Sequence, residues 1–193
     1  SPPDLAGRNL RIVDGTFRLS IPSAPFSLSA ERIGLQGEGT LTPPYASADL
    51  GIEDIRAAID TTHFGADSLG LHAVLRRDQL RDVFIRIVAG DLRLDAEAAV
   101  DSLYRVFLPR GEVRLEGNLA SLSELLPARI PVEGTVRARL KASAPIDNPT
   151  AQLHASVLKG SFPGVAFDSV GLSLSLHDHV ADLENLLMRR GPG

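Results

Sequence analysis

The densest group of chemistry-bearing side chains is His177-Asp178-His179. On a strand, two imidazoles two residues apart share a face and could grip one metal ion, while Asp178 would point to the other face. The trio follows an alternating apolar run as a hairpin turn would, and no Cys accompanies it, so it reads as a solvated turn. His72 and His154 fall on the polar parity of their stretches, and with His63 they stand alone, as surface residues do. Glu53 and Asp54 are adjacent and would face opposite ways on a strand, so they cannot share a proton as an acid–base pair does. The chain has no phosphate-binding loop, nucleophile elbow or zinc-protease helix signature. The absence of cysteine removes disulfides, thiolate metal sites and cysteine nucleophiles. These residues predict a protein that is not an enzyme and uses no cofactor or metal.

What must position any site is a chain of 193 residues that is 44% hydrophobic and 23% charged, enough apolar material to cover a sheet face. Aromatic residues make up 5% and Trp is absent, so any apolar surface is built from Leu, Val, Ile and Ala. A net charge of −4 gives no broad cationic surface, and nucleic acid is excluded as a partner. No apolar run approaches the roughly 18 residues of a membrane-spanning helix.

Alternation of period two dominates the chain and predicts half-buried strands. Val136, Ala138, Leu140 and Ala142 alternate with Arg137, Arg139 and Lys141; Val170, Leu172, Leu174 and Leu176 alternate with Gly171, Ser173 and Ser175. The same rhythm runs through Phe17, Leu19 and Ile21, through Leu69, Leu71, Ala73 and Leu75, through Val83, Ile85 and Ile87, and through Leu153, Ala155 and Val157. Turn signals at Pro43-Pro44, Pro109-Arg110-Gly111, Asp147-Asn148-Pro149 and Pro163-Gly164 separate the runs at the close spacing of an antiparallel meander. Helix is scarce. Ser121-Leu122-Ser123-Glu124 has the spacing of a capping box, and residues 101–108 suit a second short helix. Around Ile52 and Ile55 the spacing suits a strand with a bulge near Asp54.

The pattern Gly, any residue, apolar, Arg, apolar occurs at Gly15, Gly90, Gly111 and Gly134. The last three copies begin roughly 20 residues apart, about two short strands and their turns, which predicts one hairpin per repeat with Gly in a tight turn and Arg facing solvent. In these copies Phe17 and Leu19, Leu92 and Leu94, Val113 and Leu115, and Val136 would point inward.

A short helix ending in Leu-Leu-Pro is followed by Val132-Glu133-Gly134-Thr135-Val136-Arg137-Ala138-Arg139-Leu140-Lys141-Ala142-Ser143-Ala144-Pro145-Ile146-Asp147-Asn148-Pro149, then by a second Ala/Leu strand from Thr150 to Ala155. This resembles the TamB branch of the AsmA-like proteins, over about residues 65–193 most closely. The resemblance implies a curved antiparallel meander forming a U-shaped groove with an apolar interior and one or two short helices. It also implies a periplasmic location, a parent anchored in the inner membrane of a Gram-negative bacterium by an N-terminal segment outside this chain, and phospholipid as partner. Contact with an outer-membrane protein through a missing C-terminal region is implied too. On this reading residues 1–193 are one groove segment cut from a longer repeat array, with a possible sub-boundary near 101–110. The expected lining is Phe17, Leu19, Leu71, Leu75, Ile85, Leu92, Leu94, Val113, Leu115, Val136, Leu140, Leu153, Val157, Leu172, Leu174 and Leu176.

Alternation alone also fits a closed β-sandwich or β-helix acting as a structural module. A scaffold offering sheet edges during outer-membrane protein assembly is a further alternative. Closure of the apolar face separates the first from a groove, and accessible edge backbone marks the second.

Overall fold

The structure, a computed structural model, describes residues 9–21, 26–41, 44–59, 62–101, 109–124, 132–143, 149–162 and 165–190. The alternating runs become eleven strands: β1 (Leu10–Ile21), β2 (Phe26–Leu41), β3 (Pro44–Ile59), β4 (Thr62–Arg76), β5 (Gln79–Ala89), β6 (Leu92–Val100), β7 (Pro109–Asn118), β8 (Glu133–Ser143), β9 (Thr150–Phe162), β10 (Val165–His177) and β11 (Val180–Arg189). Among the described residues one short helix, α1 (Leu119–Glu124), lies between β7 and β8. The strands stand in the sheet in sequence order, an all-β antiparallel meander that is not closed and whose edges are β1 and β11. A sandwich of two sheets and a parallel β-helix are thereby set aside. The chain divides into two compact units, Ser1–Ala89 with Glu97–Phe107, and Gly90–Ala96 with Leu108–Gly193.

In the first unit, register brings Ile12, Leu35, Leu50, Leu71 and Ile85 side by side across β1 to β5. One residue away, on the opposite face, runs the row Arg11, Gln36, Asp49, His72 and Phe84. Strict alternation would break in these long strands, because apolar residues change from even to odd positions along β1, β3 and β5. Left-handed residues reset the parity: Asp14 (φ 56°), Arg32 (φ 48°), Asp54 (φ 49°) and Asp82 (φ 52°) each take one residue out of the alternation. Ile52-Glu53-Asp54-Ile55 and Leu80-Arg81-Asp82-Val83 thus keep both apolar ends on one face. The bulge expected near Asp54 is present, with register shifts around Glu31 and Gly34 opposite it. Asp tolerates this backbone better than a branched residue. Arg32 adds ion pairs to Glu53 and Asp54, each at 2.5 Å.

In the second unit the rows are Val113, Leu140, Leu153 and Leu174, then Leu115, Ala138, Ala155, Leu172 and Leu186, then Gly117, Val136, Val157, Val170 and Met188. Lys159 (φ 48°) resets β9 from Val157 to Gly160. An unpaired Glu184 does the same in β11, between Leu183 and Asn185.

The repeat differs from its expected form. Gly90 (φ 56°) occupies a two-residue turn before β6, but Gly15 lies at a bulge in β1 and Gly111 is an ordinary strand residue opposite Ala142. Gly134 (φ 127°) sits at the start of β8, where a Cβ would come within 2.9 Å of Gly160 Cα. The last three copies open β6, β7 and β8 in turn, so each copy is one strand and not a hairpin; α1 occupies part of the spacing between two of them.

Likewise Pro109 begins a strand instead of a turn. The helix starts two residues before the proposed Ser121 cap, because Asn118 Oδ1 accepts the Ala120 N–H at 2.9 Å and Asn is an equally good N-cap. The second helix proposed for residues 101–108 lies, after Asp101, outside the described residues.

Among the described residues the buried apolar side chains are Ala30, Val74, Leu92, Val100 and Val136, and no large side chain is fully enclosed. In a sheet, strand neighbours about 4.8 Å away cover a side chain's flanks, but only a second layer covers its tip.

Candidate functional site

Each unit carries an apolar face assembled by register. In the first, Phe17 stands opposite Ala30, Leu19 opposite Leu28, Leu71 between Leu50 and Ile85, and Leu75 between Ala46 and Leu80. In the second, Val113, Leu140, Leu153 and Leu174 form one row, Leu115 and Leu172 share the next, Val136 and Val157 are paired, and Leu176 is opposite Ala151. Leu92 packs at Gly117, whose Cβ, if present, would lie 2.7 Å from Leu92 Cδ2, and Leu94 is half-buried in β6. All the expected lining residues in β1, β4 and β5 therefore share one face, and so do those in β7 to β10.

These faces are greasy and open. Phe17 is 44% exposed, Leu19 41%, Leu140 38% and Leu186 62%, while most of the rows between are half-buried. An acyl chain laid along such a row gains about 0.8 kcal/mol per buried CH₂ with no polar contact required. That chemistry is non-directional: it holds a tail and lets it slide.

The reverse face is ionic. Glu112 on β7 accepts hydrogen bonds from Arg139 Nε and Nη2 at 2.7 Å each and from Arg114, with Lys141 Nζ at 3.9 Å. Arg139 and Arg114 together hold the Glu112 carboxyl down at about 2. Arg137 bonds Glu116 at 2.8 Å, His72 Nδ1 meets Asp49 at 2.6 Å, and His154 Nδ1 meets the Ser173 hydroxyl at 3.0 Å. Both histidines lie on the polar parity, as expected. Such a surface stays in water, since burying a charge costs far more than an apolar row returns.

Two shallow hollows on this polar parity were not anticipated. One has Gly34, Gly51 and Gly70 in register across β2, β3 and β4 as its floor, with Arg11, Gln36, Asp49, His72 and Phe84 beside them; no atom lies within 4 Å of where their Cβ atoms would be. The other, in the second unit, is bordered by Arg114, Glu116, Arg137, Arg139, His154, Asn185 and Leu187 over Ser156, Gly171 and Ser173. Small residues opposite one another produce each floor, a coincidence that depends on register and so escapes inspection of any one strand.

His177-Asp178-His179 closes the β10–β11 hairpin, with Asp178 (φ 50°) and His179 (φ 61°) as the two turn residues between paired His177 and Val180. Two successive positive φ values mark a type I′ turn, which separates the two imidazoles from a common strand face. Among the described residues no three His, Asp or Glu side chains gather as metal ligands. No described helix is long and apolar enough to cross a membrane. No protein-family model matches the chain, and neither a curated protein nor a solved structure matches it.

Proposed function

We propose that this chain is a segment of a periplasmic, TamB-type lipid conduit that carries phospholipid acyl chains between inner and outer membrane. One observation carries the reading: in each unit the strands place Leu, Val, Ile and Ala on one face in cross-strand rows, most of whose side chains stay partly accessible. A plain aliphatic lining suits a cargo that must move, because no directional contact has to be broken at each step. The ionic reverse face keeps the other side of the sheet in water. On this reading the activity is transfer, with no bond made or broken.

A second reading, a scaffold for outer-membrane protein assembly, draws on β11, where every residue is exposed, including Val180, Leu183, Leu186, Leu187 and Met188. An edge with accessible backbone and apolar side chains on both faces is a template for strand addition. Native mass spectrometry of the purified chain separates the two. Co-purified phospholipid, lost in Leu174→Arg and Leu140→Arg variants that keep a β-type circular dichroism spectrum, is expected of a conduit. A chain free of lipid that instead captures an extended outer-membrane strand peptide would favour the scaffold.

A further inference from the structure

The polar face of the second unit holds an arrangement that the transfer of acyl chains does not use. Register lines up Arg114, Arg139, His154, Ser173 and Asn185 across five adjacent strands, β7 to β11. Every one of these side chains can donate a hydrogen bond, and none is a carboxylate. Arg114 and Arg139 are directly opposite each other, a like-charge cross-strand pair that costs stability unless a counter-charge joins it. Glu112, one row away, is the carboxylate that both guanidinium groups bond. On the other side Arg137 leans on Glu116. Lys141 also approaches Glu112, so one carboxylate serves three cations.

Arg114, Arg137 and Arg139 border one hollow together with Glu116, which Arg137 neutralises, and with His154, Ser156, Gly171, Ser173, Asn185 and Leu187. The guanidinium groups remain about half exposed, so a ligand can reach them from solvent. Gly171, with no atom within 4 Å of its missing Cβ, leaves the floor open to backbone approach.

We infer that this hollow is a binding site for a phosphoryl group, seated between the Arg114–Arg139 pair and His154, with the neutral donors Ser173 and Asn185 turned to the acceptor-rich body attached to it. Phosphate is a compact anion with several acceptor oxygens that matches guanidinium forks, and it would compete with Glu112 for the Arg114–Arg139 pair. The site faces away from the apolar rows, so it is independent of the lipid-conduit reading. The phosphoryl group can belong to a soluble ester or to a lipid headgroup.

Titration calorimetry of the whole chain at low salt, with inorganic phosphate and with glycerol 1-phosphate as probes, tests the site. Flotation with phosphatidylglycerol vesicles tests the membrane-borne source. Saturable binding of the soluble probes is expected, tighter for glycerol 1-phosphate. Arg139→Gln should weaken it about tenfold, the loss of one charge-assisted contact. Glu112→Gln, which removes the competing carboxylate, should strengthen it several-fold, and neither change touches the apolar rows. Vesicle retention that falls with Arg139→Gln assigns the headgroup as source; soluble binding without retention assigns a free ester. Failure of both soluble probes to saturate, or variants Arg139→Gln and Glu112→Gln that shift affinity in the same direction, would overturn the inference.

Discussion

Among single residues, Gly117 is held by backbone on the neighbouring strand. A Cβ on Gly117 would meet Asp91 O at 2.6 Å and Leu92 Cα at 2.8 Å. Backbone atoms cannot swing aside as a side-chain end can, so Gly117→Ala should cost about 1–3 kcal/mol in chemical denaturation. Gly171→Ala, with open space above it, should change stability by less than about 0.5 kcal/mol.

Glu112 gives the pH counterpart. Its carboxyl titrates at about 2 in the fold because Arg139 and Arg114 favour the charged form, against an ordinary value of 4.5. A lowered folded-state value means that the stabilisation is fully present above pH 4.5 and is lost as pH falls through about 2. Thermal melts of the wild type and Glu112→Gln should therefore differ at neutral pH and converge as pH falls across that window. A difference that stays constant across it would contradict the assignment.

At the scale of elements, the alternation made nearly every strand legible, since Val136 to Ala142 and Val170 to Leu176 can alternate in no other regular structure. What stayed hidden was how long strands keep one face apolar. In β5, Leu80 and Val83 are three residues apart and should face opposite ways; the left-handed Asp82 between them restores agreement. Asp82→Gly should leave stability within about 0.5 kcal/mol, whereas Asp82→Ile, with a branched side chain forced to positive φ, should cost about 1–3 kcal/mol in the same denaturation assay. The repeat differs from a hairpin for a related reason. Gly, any residue, apolar, Arg, apolar locates a strand, but the pattern does not say whether its Gly sits in a turn, at a bulge or within the strand. Asn118 hid the helix start in the same way, because Ser121 offered an equally plausible cap three residues later.

At the scale of the whole molecule, the chemistry of the apolar faces was readable in advance because lining depends only on parity, and the parity of Leu71, Leu140, Leu153 and Leu174 follows from their immediate neighbours. The hollows on the reverse face were not readable, because Gly34, Gly51 and Gly70 lie on three strands and meet only through register. Burial also sorts the lining into two kinds. Val136 is 8% exposed between Gly117 and Val157, whereas Leu140 is 38% exposed at the same face. A charge at Val136 is placed where neighbours enclose it, so Val136→Asp should lower the melting temperature. At Leu140 a long Arg stem can lie on the sheet and reach water, so Leu140→Arg should fold and lose lipid.

If acyl tails travel on one parity of the strands, phosphatidylglycerol that carries a diazirine in its acyl tail should photolabel the chain on that parity, and peptide mass spectrometry maps the adducts. Adducts are expected to concentrate at Leu71, Leu140, Leu174 and Leu186, with His72, Ser175 and Gln152 left unlabelled. Equal labelling of the two parities, or labels confined to the β11 edge, would contradict travel on one parity.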